Sequence, residues 1–161
     1  MLPLTVTKIQ DEKELRLARE FLLKQPQFYP DFQEWIDGKC MPRIELGEYK
    51  AIVAISDGLV VGDAVYRFLG ERKIELKNFR IDPAYRNRDL GHFLLEQVRA
   101  ETKDADMALD VTVDNFAGVE FFVRNGFHIT GKENLYQPNQ AEFLMLRLGL
   151  RDNGIYSKIR N

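Results

Sequence analysis

The spacing of apolar residues changes several times along this chain, and each change marks an element. Residues 6–9 alternate and read as a short strand. From Asp11 the apolar positions fall three and four apart, with Leu15, Ala18 and Leu22 on one face and Leu17 and Phe21 beside it. That period predicts a helix to about Lys24, capped by Asp11. The stretch 25–30, with Pro26 and Pro30, breaks it. Residues 31–39 read as a shorter helix carrying Phe32, Trp35 and Ile36. Strands over 49–56 and 59–69 follow, joined by the hairpin signal Asp57-Gly58, and a third covers 73–81. Residues 89–103 form a helix with Leu90, Phe93, Leu94, Leu95 and Val98 turned inward. Residues 107–113 alternate Leu109, Val111 and Val113 as a strand. A short helix over 116–124 ends at Asn125-Gly126, a pair suited to a left-handed cap. A strand over 127–131, a loop with Pro138 and a last strand over 142–148 complete the pattern.

The order β-α-α-β-β-β-α-β-α-β-β predicts an α/β fold. Its central sheet is mixed and mostly antiparallel, with helices on both faces. One β-α-β crossover, through the helix that opens at Asp89, makes its two flanking strands parallel. No repeat, low-complexity tract or change of composition divides the chain. We therefore expect one domain over residues 1–150 and a polar tail over 151–161.

Composition narrows the class. Hydrophobic residues make up 45% and charged residues 30% of the 161, the balance of a soluble globular protein. A net charge of −2 argues against a broad nucleic-acid face. No apolar run reaches membrane-span length, and the start lacks the layout of a signal peptide, so the expected location is the cytoplasm. The lone Cys40 makes no internal disulfide and reads as a small buried hydrophobe. With two histidines and one cysteine, no metal-ligand spacing is present and no metal is expected.

The chemistry concentrates in the run Ile81-Asp82-Pro83-Ala84-Tyr85-Arg86-Asn87-Arg88-Asp89-Leu90-Gly91-His92. A strand ends, an arginine-rich turn follows, and a helix opens. Backbone N–H groups converge at such a point, and the helix dipole favours an anion, above all a phosphate. The stretch from Glu75 to Gly91 resembles the acyl-coenzyme A motif of the GNAT N-acetyltransferase superfamily: strand, V-x-P-x-Y-R, Q/R-x-x-G-x-G/A, helix. The stretch from Asn115 to Phe127 is similar to the same family's N-x-x-A-x-x-F-Y-x-x-x-G-F, without a gap. Both motifs stand in order on the expected elements.

The resemblance implies the GNAT fold, with acetyl-coenzyme A as acyl donor and a primary amine as acceptor. The amine would attack the thioester directly. It places the pyrophosphate on Arg86, Asn87, Arg88, Asp89, Leu90, Gly91 and His92. The pantetheine arm would lie where the two parallel strands splay, against Asn115 and Phe122. A backbone N–H among Phe79, Arg80 and Ile81 would face the thioester oxygen. Glu75 stands where many members carry the carboxylate that deprotonates the amine; its other reading is a strand carboxylate facing Lys73 or Lys77.

Two positions depart from the family pattern. Asp89 replaces the first loop glycine. Facing a phosphate at about 6 Å, with an effective dielectric near 20, its charge would cost roughly 3 kcal/mol per phosphate charge. Turned away, it would N-cap the helix, which is the reading favoured here, with Arg86 and Arg88 supplying compensating charge. Phe122 replaces the tyrosine that protonates the departing thiolate, and it also reads as plain core. Losing such an acid costs about 10² to 10⁴ in rate. Tyr136 on the late loop is a candidate substitute by location alone. His92 and His128 read as a solvated and a packing histidine. Phe28, Tyr29, Phe32 and Trp35 lie in the region that often shapes the acceptor site in this family.

The sequence thus points to an acetyltransferase acting on a small-molecule or peptide amine. Two other functions compete with it. One is a GNAT-fold module that binds an acyl-coenzyme A without efficient catalysis. The other is an acetyltransferase of a macromolecule, tRNA or protein, for which Lys158 and the nearby arginines leave room. A homodimer is compatible with the sequence.

Overall fold

A computed structural model describes residues 3–27 and 29–150. Phe28, Lys158 and the tail over 151–161 lie outside the described residues. The elements are β1 (Leu4–Lys8), α1 (Glu12–Lys24), α2 (Phe32–Trp35), a π turn (Ile36–Cys40), α3 (Met41–Glu45), β2 (Lys50–Ser56), β3 (Leu59–Gly70) and β4 (Lys73–Ile81). A 3-10 turn (Pro83–Tyr85), α4 (Leu90–Glu101), β5 (Asp106–Thr112), α5 (Phe116–Arg124), β6 (His128–Gln137) and β7 (Gln140–Arg147) follow. The strands form one sheet in the order β1-β2-β3-β4-β5-β7-β6. Every neighbouring pair is antiparallel except β4 with β5. The expected mixed sheet and its single parallel crossover are present.

Strand alternation sends side chains to two separate cores. Ile52, Ile74, Leu109 and Val111 pack against Leu90, Leu94, Leu95 and Val98 of α4. Val53, Val60 and Val65 pack on the opposite face against Phe21, Leu22, Phe32, Ile36 and Met41. Helix α1 opens as read from the sequence: an Asp11 carboxylate oxygen accepts from the Glu14 N–H at 2.8 Å, and the Glu14 carboxylate accepts from the Gln10 N–H at 2.7 Å. This reciprocal pairing satisfies two N–H groups at the helix start.

Three boundaries differ from expectation. The second helical stretch runs past Lys39 to Glu45, because the π turn brings Ile36, Cys40 and Met41 onto the buried face and Pro42 falls in the first turn of α3, where its missing N–H costs little. Helix α4 stops at Glu101, where the Thr102 hydroxyl returns to Val98 O at 2.8 Å and Lys103 and Asp104 take positive φ. Strand β6 extends to Gln137; its mostly exposed residues carry no clear alternation. Among the described residues no helix is long and apolar enough to cross a membrane.

Candidate functional site

The parallel pair β4–β5 holds together only over Lys73–Glu75 and Asp106–Ala108. Immediately beyond, β4 bulges. Val65 faces Asn78 and Tyr66 faces Leu76, so Lys77 is an extra residue. A bulge bends its strand, and β4 swings away from β5. The bulge also resets alternation. Phe79 and Ile81 pack into the α4 core, while Asn78 reaches Asp63 and Arg80 reaches Pro26 on the α1 side. The Asp82 N–H donates to Val61 O at 2.8 Å, towards β3. By the period of two, the N–H groups of Ile81 and Phe79 face the opening between β4 and β5.

At the end of β4, Asp82 caps the 3-10 turn by accepting from the Ala84 N–H at 2.8 Å. Arg86 Nε donates to Ile81 O at 3.2 Å, and the Arg88 guanidinium lies 5.9 Å from the Tyr85 ring centre. Asn87 and Asp89 take the left-handed conformation, with φ of 59° and 60°. Asp89 thus adopts a left-handed backbone, the region that favours glycine. Contrary to the capping role expected of it, Asp89 occupies the N-cap position of α4 with a side chain that makes no capping hydrogen bond. The left-handed backbone explains this, since a capping side chain normally springs from an extended residue. The first-turn N–H groups of Leu90, Gly91 and His92 therefore remain available to an anion. Leu90 is buried and Gly91 has no side chain, so these two contribute backbone alone. His92 Nδ1 lies 2.9 Å from Asn125 Oδ1, which ties α4 to the end of α5.

Asn115 is the N-cap of α5; its Oδ1 accepts from the Gly118 N–H at 3.1 Å. Phe122 is 7% exposed, with ring centres of Phe79, Phe121 and Phe127 at 5.7, 5.2 and 5.3 Å. It is a core side chain with no proton to give.

The α1-side face of the opening is polar. Glu75 sits at the fork itself, opposite Ala108 in the last parallel pair. It accepts from Arg67 Nε at 2.7 Å and Lys77 Nζ at 3.0 Å. Burial acts to raise its carboxyl, but these two partners outweigh burial and hold it below the usual carboxylate range. One group absent from the sequence reading, Asp110, stands nearby. Asp110 accepts from the Tyr136 hydroxyl at 3.1 Å with either oxygen, and burial raises its carboxyl. Tyr29 meets the Tyr136 ring edge-on at 4.8 Å; burial, then Asp110, pushes its hydroxyl up to about 12. Burial and Asp110 push Tyr136 still higher, and its proton is engaged by Asp110. The signal for Asp110 was present: Leu109 and Val111 point inward, so Asp110 must point to the other face. Glu142, fully buried, is satisfied by the Leu135 N–H at 2.9 Å and Gln140 Nε2 at 3.1 Å. Cys40 is buried, and its thiol is raised by burial.

An N-terminus without a side-chain cap and outward N–H groups on a splayed strand fit a pyrophosphate and an amide-bearing arm. Comparisons with known proteins agree. Residues 11–127 match the family model described as "Acetyltransferase (GNAT) family". No curated protein sequence matches the chain. Among solved structures, the ribosomal-protein-S18-alanine N-acetyltransferase from Escherichia coli superimposes with a TM-score of 0.75 at 17% identity, covering 96% of this chain and 99% of that one. Ard1 from Thermoplasma volcanium gives 0.69 at 21% identity, covering 92% and 99%. PaiA N-acetyltransferase from Thermoplasma acidophilum, in complex with coenzyme A, gives 0.66 at 19% identity, covering 91% and 99%. The chain belongs to the GNAT family of acetyltransferases, whose acyl donor is acetyl-coenzyme A.

Proposed function

We propose that this protein transfers the acetyl group of acetyl-coenzyme A to a primary amine by direct attack. The observation that carries the reading is the opening between β4 and β5, with backbone N–H groups of Phe79 and Ile81 on one side and the carboxylates Glu75 and Asp110 on the other. Bound donor supplies an activated thioester. Residues 86–92 grip its pyrophosphate through backbone N–H groups and the positive helix end, and Asn115 Nδ2 holds the arm. The N–H groups on β4 stabilise the oxyanion.

An acceptor enters as an ammonium ion, attracted by the two carboxylates. Asp110, raised by burial, is the better proton acceptor; Glu75, held low by Arg67 and Lys77, is the weaker base. The freed nitrogen lone pair forms the C–N bond, the C–S bond breaks with its electron pair leaving on sulfur, and the second proton shed by the nitrogen passes through solvent to that thiolate. Tyr136 orients Asp110; its committed proton and raised pKa make it a poor acid for the thiolate.

The test is thiol release from acetyl-coenzyme A across a panel of small amines, amino acids and short peptides. Similarity to the E. coli enzyme supports including peptide N-termini. Asp110→Asn should lower kcat/KM by about 10²–10⁴, and Glu75→Gln by less. The reverse ranking restores Glu75 as the base. Tight binding in calorimetry without thiol release from any acceptor would leave a coenzyme-binding module, and no heat at sub-millimolar coenzyme would end the enzyme reading.

A further inference from the structure

Strand β3 carries one carboxylate inside its apolar stretch, Asp63, which is 1% exposed and has no part in the proposed transfer. Asn78 Nδ2 donates to both of its oxygens, at 2.9 and 3.0 Å. Arg80 Nε approaches Asn78 Oδ1 at 3.5 Å, and Arg80 Nη1 donates to Pro26 O at 3.0 Å. The same guanidinium lies 5.4 Å from the Phe32 ring centre, and Phe32 stacks on Trp35 at 5.9 Å. A line of contacts therefore runs from the middle of the sheet to both ends of the connection between α1 and α2. That connection carries Tyr29, whose ring meets Tyr136 beside Asp110.

We propose that Asp63, Asn78 and Arg80 form a latch that fastens the α1–α2 connection to β4 and so positions Tyr29 at the acceptor side of the site. The inference rests on the proposed reading of that opening. The Asp63 carboxylate and the Arg80 guanidinium attract one another across Asn78. Burial raises Asp63 to about 7 against the opposing pull of Asn78 and Arg80. The latch therefore carries full charge only above neutrality. Among the described residues, charged or titratable groups near it include Lys77 on β4, Arg86 after it, Cys40 in the π turn and Tyr29 in the connection. Burial keeps Cys40 and Tyr29 neutral through this range.

Trp35 is the only tryptophan, so its emission reports on the latch without a substrate. Trp35 emission and exchange of the Gln25, Gln27 and Tyr29 amides are to be followed between about pH 5.5 and 8.5 in the wild type, Asp63→Asn, Arg80→Lys and Arg80→Gln. After correction for intrinsic exchange, wild-type protection should rise through pH 7 by roughly tenfold, the scale of one charge-assisted hydrogen bond. Asp63→Asn should stay at the unprotected level throughout, as should Arg80→Gln, and Arg80→Lys should recover part of the protection. Asp63→Asn should keep coenzyme A affinity within about twofold while raising the acceptor KM more than it lowers kcat. A wild-type response flat across pH, or Arg80→Gln protected like the wild type, overturns the latch. If Asp63→Asn does not fold, the wild-type titration and the Arg80 pair decide. A latch that behaves as expected in a protein that acetylates no amine leaves the latch standing and the functional reading refuted.

Discussion

Gly91 offers a sharp test of how the loop proposed to hold the coenzyme is built. It lies in the first turn of α4 and faces α5. A Cβ at this position would stand 2.7 Å from Phe121 Cε2 and 2.9 Å from Cζ. The Phe121 ring cannot easily yield, because it stacks on Phe79 at 5.5 Å and meets Phe122 edge-on at 5.2 Å. Two effects oppose each other in Gly91→Ala. Helix propensity favours alanine by about 1 kcal/mol in a helix interior, and by less in a first turn. Overpacking of a filled core costs about 1–3 kcal/mol. The net expectation is a loss of about 1 kcal/mol, or roughly 2–4 °C in Tm for a chain of this size. Coenzyme A affinity should fall as well, because the displaced ring bears on both the N-terminus of α4 and Phe79 of β4. Denaturant unfolding and calorimetric titration with coenzyme A measure the two effects. Adding Phe121→Leu should relieve the overlap, with a coupling of about 0.5–3 kcal/mol in the double-mutant cycle. A Gly91→Ala protein about 1 kcal/mol more stable than wild type, with no coupling to Phe121→Leu, would refute the reasoning.

Other outcomes are expected from the same contacts. Asp89→Asn keeps a residue tolerant of the left-handed backbone and deletes one negative charge where the pyrophosphate is proposed to bind. Coenzyme affinity should tighten several-fold at low ionic strength and converge with wild type in high salt, as titrations in both buffers will show. Asp63 is raised on folding, so between about pH 4 and 7 the native state keeps a proton that the unfolded chain has released. Wild-type stability should therefore fall across that window relative to Asp63→Asn, by up to about 4 kcal/mol, in denaturant unfolding followed against pH. Asp11→Ala removes the oxygen that accepts from the Glu14 N–H and should cost about 1 kcal/mol in thermal unfolding.

Most of the fold was legible because its signals are local. Asp57-Gly58 joins β2 to β3, and residues 73–81 form β4 as read. Asp11 caps α1. The helix read over 31–39 continues to Glu45 because a π turn shifts the helical period by one residue, a shift that packing against the sheet selects. Asp89 was read correctly as a helix boundary and wrongly as a side-chain cap, since the backbone region that decides between the two is set by the whole loop.

By itself, then, the sequence determined the elements, their order and the strand-turn-helix proposed to hold the pyrophosphate. Hydrophobic period, turn residues and motif spacing are properties of neighbouring residues, and they act wherever the chain goes. Only the tertiary structure decided which polar side chains meet in the opening. Tyr136 on β6 reaches Asp110 on β5 across the intervening β7, and Arg80 reaches Pro26 because the bulge at Lys77 resets the face to which β4 sends its side chains. These partners lie 26 and 54 residues apart in the chain. Lateral strand order and a one-residue shift of register, invisible in any local pattern, place them within hydrogen-bonding distance.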